Sequence, residues 1–109
     1  MWKCSVCQYI TDAAEAPEVC PRCGAPKEKF VKLAEDKANL IKRARLSNGL
    51  HQKLHGILDE VEAIGNKGAE DNLDPLCVKI FAKARDDAKE LKHWIDAEIE
   101  VHVNKGKWG

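Results

Sequence analysis

Four cysteines crowd the first 23 positions of this 109-residue chain as two pairs, Cys4-x2-Cys7 and Cys20-x2-Cys23, separated by 12 residues. In each pair two thiolates can point at one ion while backbone N–H groups of the same turn hydrogen-bond the sulfurs. Two such knuckles facing each other make a tetrahedral S4 site. Two disulfides or free thiols are the competing readings. The opening MWKCSVC lacks the basic and apolar regions of a signal peptide, so the expectation is a cytoplasmic protein with reduced thiols, which favours metal ligation. Spacing does not choose the metal: zinc would leave a structural ribbon, whereas iron gives a one-electron centre.

Other residues with chemical potential stand further along. His51 and His55, four apart and followed by Asp59, form a possible ligand row, set against the plainer reading of histidines on a solvated helix face. The fifth cysteine, Cys77, falls on an apolar helix side and reads as a structural thiol, since the sequence pins no basic residue beside it. No glycine-rich phosphate loop, nucleophile elbow or zinc-protease motif is present.

The elements that must carry these residues change character near residue 33. Before it, Pro17, Pro21, Gly24 and Pro26 lie so close together that neither a helix nor a long strand fits among them. After it come runs of Ala, Leu, Lys, Glu and Asp that predict two helices, approximately Ala34 to Ile64 and Asp74 to Val103. Leu50, Leu54, Ile57, Val61 and Ile64 make one apolar stripe on the first, which Asn48-Gly49 threatens to split. GNKGAEDNLDP reads as turn material, with Asp74 as N-cap and Pro75 at the first helical position. On the second helix Cys77, Ile80, Ala84, Ala88, Leu91 and Ile95 share a side. Such a hairpin buries little surface by itself, so self-association into a four-helix bundle, or docking on a partner, is expected to complete it.

Charge narrows the partners. The chain is formally neutral, with five basic and four acidic residues up to Leu33 leaving +1 there and −1 in the remainder. Neither part has the basic excess that drives binding to nucleic acid or an anionic membrane, and no segment is apolar enough to span a bilayer.

The segment Trp2-Lys3-Cys4-Ser5-Val6-Cys7-Gln8-Tyr9, then Glu15-Ala16-Pro17, Cys20-Pro21-Arg22-Cys23-Gly24-Ala25-Pro26-Lys27 and Phe30, resembles the rubredoxin-like domain that accompanies the di-iron domain of rubrerythrins. The resemblance implies a small open ribbon with iron held by Cys4, Cys7, Cys20 and Cys23, electron transfer through an exposed edge, and Trp2, Tyr9 and Phe30 as a miniature core. One departure is Gln8, where that family commonly has glycine; a non-glycine there must take an unusual backbone conformation or adjust the knuckle.

The body is similar, over Asp59-Glu60-Val61-Glu62-Ala63-Ile64 and the opening Asp74-Pro75, to the two-helix encapsulated ferritins, whose chains pair around a shared di-iron site. That resemblance implies Glu60 on one helix and Glu90 with His93 on the other as ligands, because residues three apart share a helix face. Helical rotation argues otherwise, setting His93 roughly opposite the apolar stripe and Glu90 well off it.

Taken together, residues 1–33 are expected to form a rubredoxin-like metal ribbon, and residues 34–109 an all-α antiparallel hairpin completed to a four-helix bundle by dimerisation. The function expected is that of a cytoplasmic iron-tetrathiolate electron carrier, zinc being the possible substitute. The hairpin serves dimerisation, docking to a redox protein partner or membership of a larger redox complex. A di-iron oxidoreductase and a zinc-ribbon interaction module are the alternatives.

Overall fold

The computed structural model describes residues 1–109. Three short strands, β1 (Trp2–Cys4), β2 (Ile10–Thr11) and β3 (Phe30–Lys32), are followed by two long helices, α1 (Glu35–Asp71) and α2 (Pro75–Asn104). They fall into two compact units: residues 1–45 with 106–109, and residues 46–105.

In the first unit the strands lie in the order β2-β1-β3, both pairings antiparallel, with Trp2 opposite Thr11 and Cys4 opposite Phe30. The core here is small: Cys4, Ala16, Cys20, Ala25 and Phe30 are buried, with Trp2, Cys7 and Tyr9 packed against them. Ala38, Ile41 and Ala44 at the start of α1 are buried as well. Arg45 ties distant parts of this unit together, donating to both carboxylate oxygens of Asp12 (2.5 and 3.1 Å) and to the carbonyl of Gly109 (2.8 Å).

The two knuckles repeat one backbone pattern. Gln8 N–H donates to the Cys4 carbonyl and Gly24 N–H to the Cys20 carbonyl, at 3.0 and 2.9 Å; Cys4 N–H reaches Tyr9 and Cys20 N–H reaches Ala25, both at 2.8 Å. Each loop closes through a left-handed residue, φ 67° at Gln8 and 76° at Gly24. Gly24 adopts that region without steric cost, whereas Gln8 carries a Cβ into it. Of the two outcomes open to Gln8, the unusual backbone conformation is the one found.

The second unit is the helical hairpin. Asp74 caps α2, its carboxylate accepting from Cys77 N–H at 2.9 Å, with Pro75 in the first turn, so the predicted start of this helix matches. Two expectations for α1 require correction. Asn48-Gly49 does not split the helix: Asn48 is buried, and its side-chain oxygen is engaged across the hairpin by His102 (2.5 Å). The expected turn from Gly65 shrinks to Asn72, Leu73 and Asp74: α1 continues to Asp71, and Asn72 ends it at φ 50°. Gly65 and Gly68 lie in the helix where α2 passes directly over them, which leaves no room for a side chain. A Cβ at Gly65 would stand 2.6 Å from the Phe81 carbonyl oxygen and 2.8 Å from Arg85 N, and one at Gly68 would overlap the Phe81 ring.

The apolar stripe of α1 is not the surface on which the hairpin closes. The seam is formed by Asn48, His51, His55, Glu62 and Gly65 of α1 and by Phe81, Ala88, Lys92, Ile95 and His102 of α2. Buried Ala88 and Ile95 and the Phe81 ring share it with polar contacts: His55 Nε2 to Asp96 at 3.1 Å, and Lys92 Nζ to Asp59 at 2.7 Å and to Glu62 at 2.5 Å. Leu50, Leu54, Val61 and Ile64 of the stripe each immediately precede a seam residue, and the stripe is largely exposed.

Two substitutions test these backbone demands. Gln8→Gly removes the left-handed penalty and should stabilise the metal-loaded protein by about 1 kcal/mol, read as slower metal loss to a chelator; an unchanged rate would show that Gln8 is unstrained. Gly65→Ala should lower the Tm even though alanine favours helix over glycine by about 1 kcal/mol, because backbone atoms occupy the space of its methyl. A rise in Tm would mean that the helices part there without cost.

Candidate metal centre

The strand and turn pattern of the first unit converges on one point. β1 delivers Cys4 at its end, the knuckle after it returns Cys7, and the second knuckle, closed by the Val19–Pro26 bridge, brings Cys20 and Cys23 opposite. All four Sγ atoms lie within 4.8 Å of one another; Cys4 and Cys23 are 3.8 Å apart, and Cys7 and Cys20 3.6 Å. A tetrahedron with metal–sulfur bonds of about 2.3 Å has edges of about 3.8 Å, so the cage has the size that zinc or iron requires. A disulfide needs sulfurs at about 2.05 Å, and all five cysteines are free thiols.

Burial divides the ligands by their place in the knuckle. The first cysteine of each pair, Cys4 and Cys20, is buried; Cys7 is half-buried and Cys23 exposed. The backbone meets the buried pair with N–H donors. Cys7 N–H and, more weakly, Val6 N–H hold the Cys4 thiol below its ordinary range against the opposing effect of burial. At Cys20 burial acts upward, but N–H donors from Cys23 and Arg22 together with the neighbouring thiols bring it down to about 7. Ala25 N–H favours the Cys23 thiolate, yet burial and the other three sulfurs override it and push this thiol up to about 12. Four sulfurs at this spacing cannot all carry charge by themselves, and a cation in their midst discharges the remaining protons. The donor set, its size and its amide bonds therefore fit a thiolate-bound dication or trication.

Around the cage, Arg22 donates through Nη1 to the Cys7 carbonyl, and Ser5 anchors to the Lys29 carbonyl through both N–H and Oγ at 2.9 Å. Trp2 Nε1 donates to the Ala14 carbonyl at 3.3 Å. These bonds fasten the knuckles to the ribbon, so ligand positions are set by backbone rather than by long flexible side chains.

The other candidate ligands sit differently. Glu60, Glu90 and His93 are exposed, and within one chain they do not join any cluster of ligand atoms; the four cysteines form the group that does. His55 is taken up by Asp96 and lies 3.9 Å from Asp59, while His51 packs edge-on against His102 with ring centroids 6.0 Å apart. Cys77 is half-buried and donates to Asp74 Oδ2 at 3.2 Å, a carboxylate contact that raises its pKa and blunts it as a nucleophile. His102 was not legible as a seam residue from its own type. Its signal is positional: it follows Ile95 by one heptad and Ala88 by two, and all three are buried.

Comparison with known proteins agrees with this geometry over the head of the chain. Residues 2–31 match the family model of the rubrerythrin rubredoxin-like domain. Over 35 residues the chain is 51% identical to reverse rubrerythrin-1 of Clostridium acetobutylicum, a stretch covering 32% of this chain and 19% of that protein. The chain thus matches about a fifth of that relative's length. No solved structure matches the chain. Its N-terminal segment is a rubredoxin-like metal-binding domain with Cys4, Cys7, Cys20 and Cys23 clustered as the metal site.

Proposed function

We propose that this chain is an electron-transfer protein whose cysteine cage holds a single iron ion. The observation that carries the reading is the cage itself: four sulfurs at tetrahedral spacing, fixed by backbone, in a segment matching the rubrerythrin rubredoxin-like domain. Bound iron supplies one-electron chemistry between its ferric and ferrous states.

The protein's share of that chemistry is electrostatic and geometric. N–H groups of Val6, Cys7, Arg22 and Cys23 point at the two buried sulfurs and offset the negative charge that builds on them when an electron arrives. Because the ribbon fixes the sulfurs, a change of charge requires little ligand movement. Cys4 and Cys20 are closed off from water, and Cys23 is exposed. With exposed Val6 and Pro21 on the two knuckles, it forms the edge through which a redox protein would couple. No helix is long and apolar enough to cross a membrane.

Metal content and the visible spectrum test this reading, measured on protein purified without oxygen from its native host, because heterologous expression can load zinc into thiolate sites. About one iron per chain is expected, with a visible sulfur-to-iron band that bleaches on reduction by dithionite and returns on reoxidation. Cys23→Ser should abolish that band or shift it strongly. Colourless protein with stoichiometric zinc would overturn the proposal. Iron approaching about two per chain and falling on Glu90→Ala would replace it with a di-iron enzyme. Acid should release the metal as protons compete for the thiolates, the loss deepening as the pH falls.

A further inference from the structure

The hairpin leaves apolar surface on one broad side. In an antiparallel helix pair, the residue immediately preceding each seam residue falls on the same side of the pair on both helices. On α1 that position is filled by Leu50, Leu54, Ile57, Val61 and Ile64, and on α2 by residues including Ile80, Leu91 and Trp94. Leu50 is 56% exposed, Ile57 46%, Ile64 60% and Trp94 66%. A run at alternating three- and four-residue intervals over two heptads is the pattern of a helix that packs along its length on another helix. Isolated exposed apolar residues need no explanation; a continuous row does.

The charges beside this row differ from those on the seam. Asp59, Glu62, Lys89, Lys92 and Asp96 all pair across the hairpin. Lys53 and Glu60 border the stripe on its far edge, away from α2, both exposed, and neither side chain makes an ion pair or hydrogen bond within the chain. They stand about one turn to either side of Ile57, with opposite signs. Gly49 and Gly56 continue the same border one heptad apart, with open space where a Cβ would stand. Glycine in a helix interior costs about 1 kcal/mol relative to alanine. At Gly65 and Gly68 that cost has a visible reason in the close passage of α2, whereas Gly49 and Gly56 have no counterpart within the chain.

We propose that a second copy of this chain covers the face, with α1 packed antiparallel on α1 of the partner subunit about a two-fold axis at the level of Ile57. This arrangement is self-complementary. Lys53 lies beside Glu60 of the partner subunit, and Glu60 beside Lys53 of the partner subunit, so one charge pair is made twice. Gly56 receives Ile57 of the partner subunit and Gly49 receives Ile64 of the partner subunit, which accounts for the small residues. The seam contacts His55–Asp96 and Lys92–Asp59 bracket Trp94 at the height of Ile57, so the same axis brings the two exposed indoles to the interface. The assembly does not rest on the identity of the metal: a zinc-loaded chain dimerises in the same way, so failure of the electron-transfer reading leaves this proposal standing.

Sedimentation equilibrium of the intact, metal-loaded chain tests it. A dimer is expected, with a Kd well below about 100 μM, the range of a specific contact. Lys53→Glu and Glu60→Lys each place like charges together twice and should raise the Kd by about tenfold or more. An equimolar mixture of the two variants restores both pairs and should give a one-to-one heterodimer. Gly56→Gln favours an isolated helix yet should also weaken association, while Ile57→Asp should give a monomer with unchanged far-UV circular dichroism and metal content. Should Ile57→Asp fail to fold, the charge variants, which alter only exposed residues, still decide. A chain that stays monomeric at about 100 μM, including one that uses this face only for a different protein, overturns the proposal. So does a dimer indifferent to both charge reversals, or a mixture that fails to restore association.

Discussion

Mutual repulsion among four sulfur atoms governs the first unit of this protein. Cys4 and Cys20 occupy its centre, where a larger domain would place leucine or phenylalanine, and Phe30 is the one large apolar side chain buried with them. So small a core contributes little by itself. Cation binding turns the repulsion at its centre into attraction, and because the cage forms only when the ribbon is folded, the binding free energy is also folding free energy. The short strands, the paired left-handed residues and the amide donors all serve to hold sulfur at fixed positions around one point.

The hairpin solves a different problem by different means. Its seam sets polar pairs and glycines among buried Ala88 and Ile95, closed by Asn48 with His102, by Lys92 with Asp59 and Glu62, and by Phe81 seated over Gly68. His102 is satisfied at both ring nitrogens, by Asn48 and by Glu98 at 2.9 Å. Contacts of this kind demand a particular register, since sliding one helix by a turn strands every partner, whereas a smooth apolar seam tolerates such slips. The apolar stripe of α1 stays largely on the outside, whereas α2 turns Ala88 and Ile95 inward.

That division explains what could be read from the chain before its structure was known. Thiolate spacing is a local code, so the four ligands were legible from a few adjacent residues, as was the Asp74-Pro75 cap; Gln8 was marked by the resemblance to rubredoxin-like domains. Helical periodicity was equally legible, but it reports which residues are apolar and not what they touch. The Leu50 to Ile64 stripe therefore stood out, while the true seam, displaced by one residue, was hidden among histidines and charges that look like solvent-facing positions. Glycines misled for a related reason: Gly65 and Gly68 signal a turn when taken singly, and only the passage of Phe81 and Arg85 beside them shows that they are there for lack of volume.

The bond from Arg45 to Gly109 carries an implication for the order of events during synthesis. The four ligands span 20 consecutive positions and the strands that hold them end at Lys32, so the cage can close around its ion as soon as that stretch has emerged. The remainder of the same unit must wait, since Gly109, lying against Ile10 and Ile41, is made only after both helices. Metal capture is thus a local and early step with little loop entropy to overcome, and the clasp between Asp12, Arg45 and Gly109 is a late one closing over 64 residues.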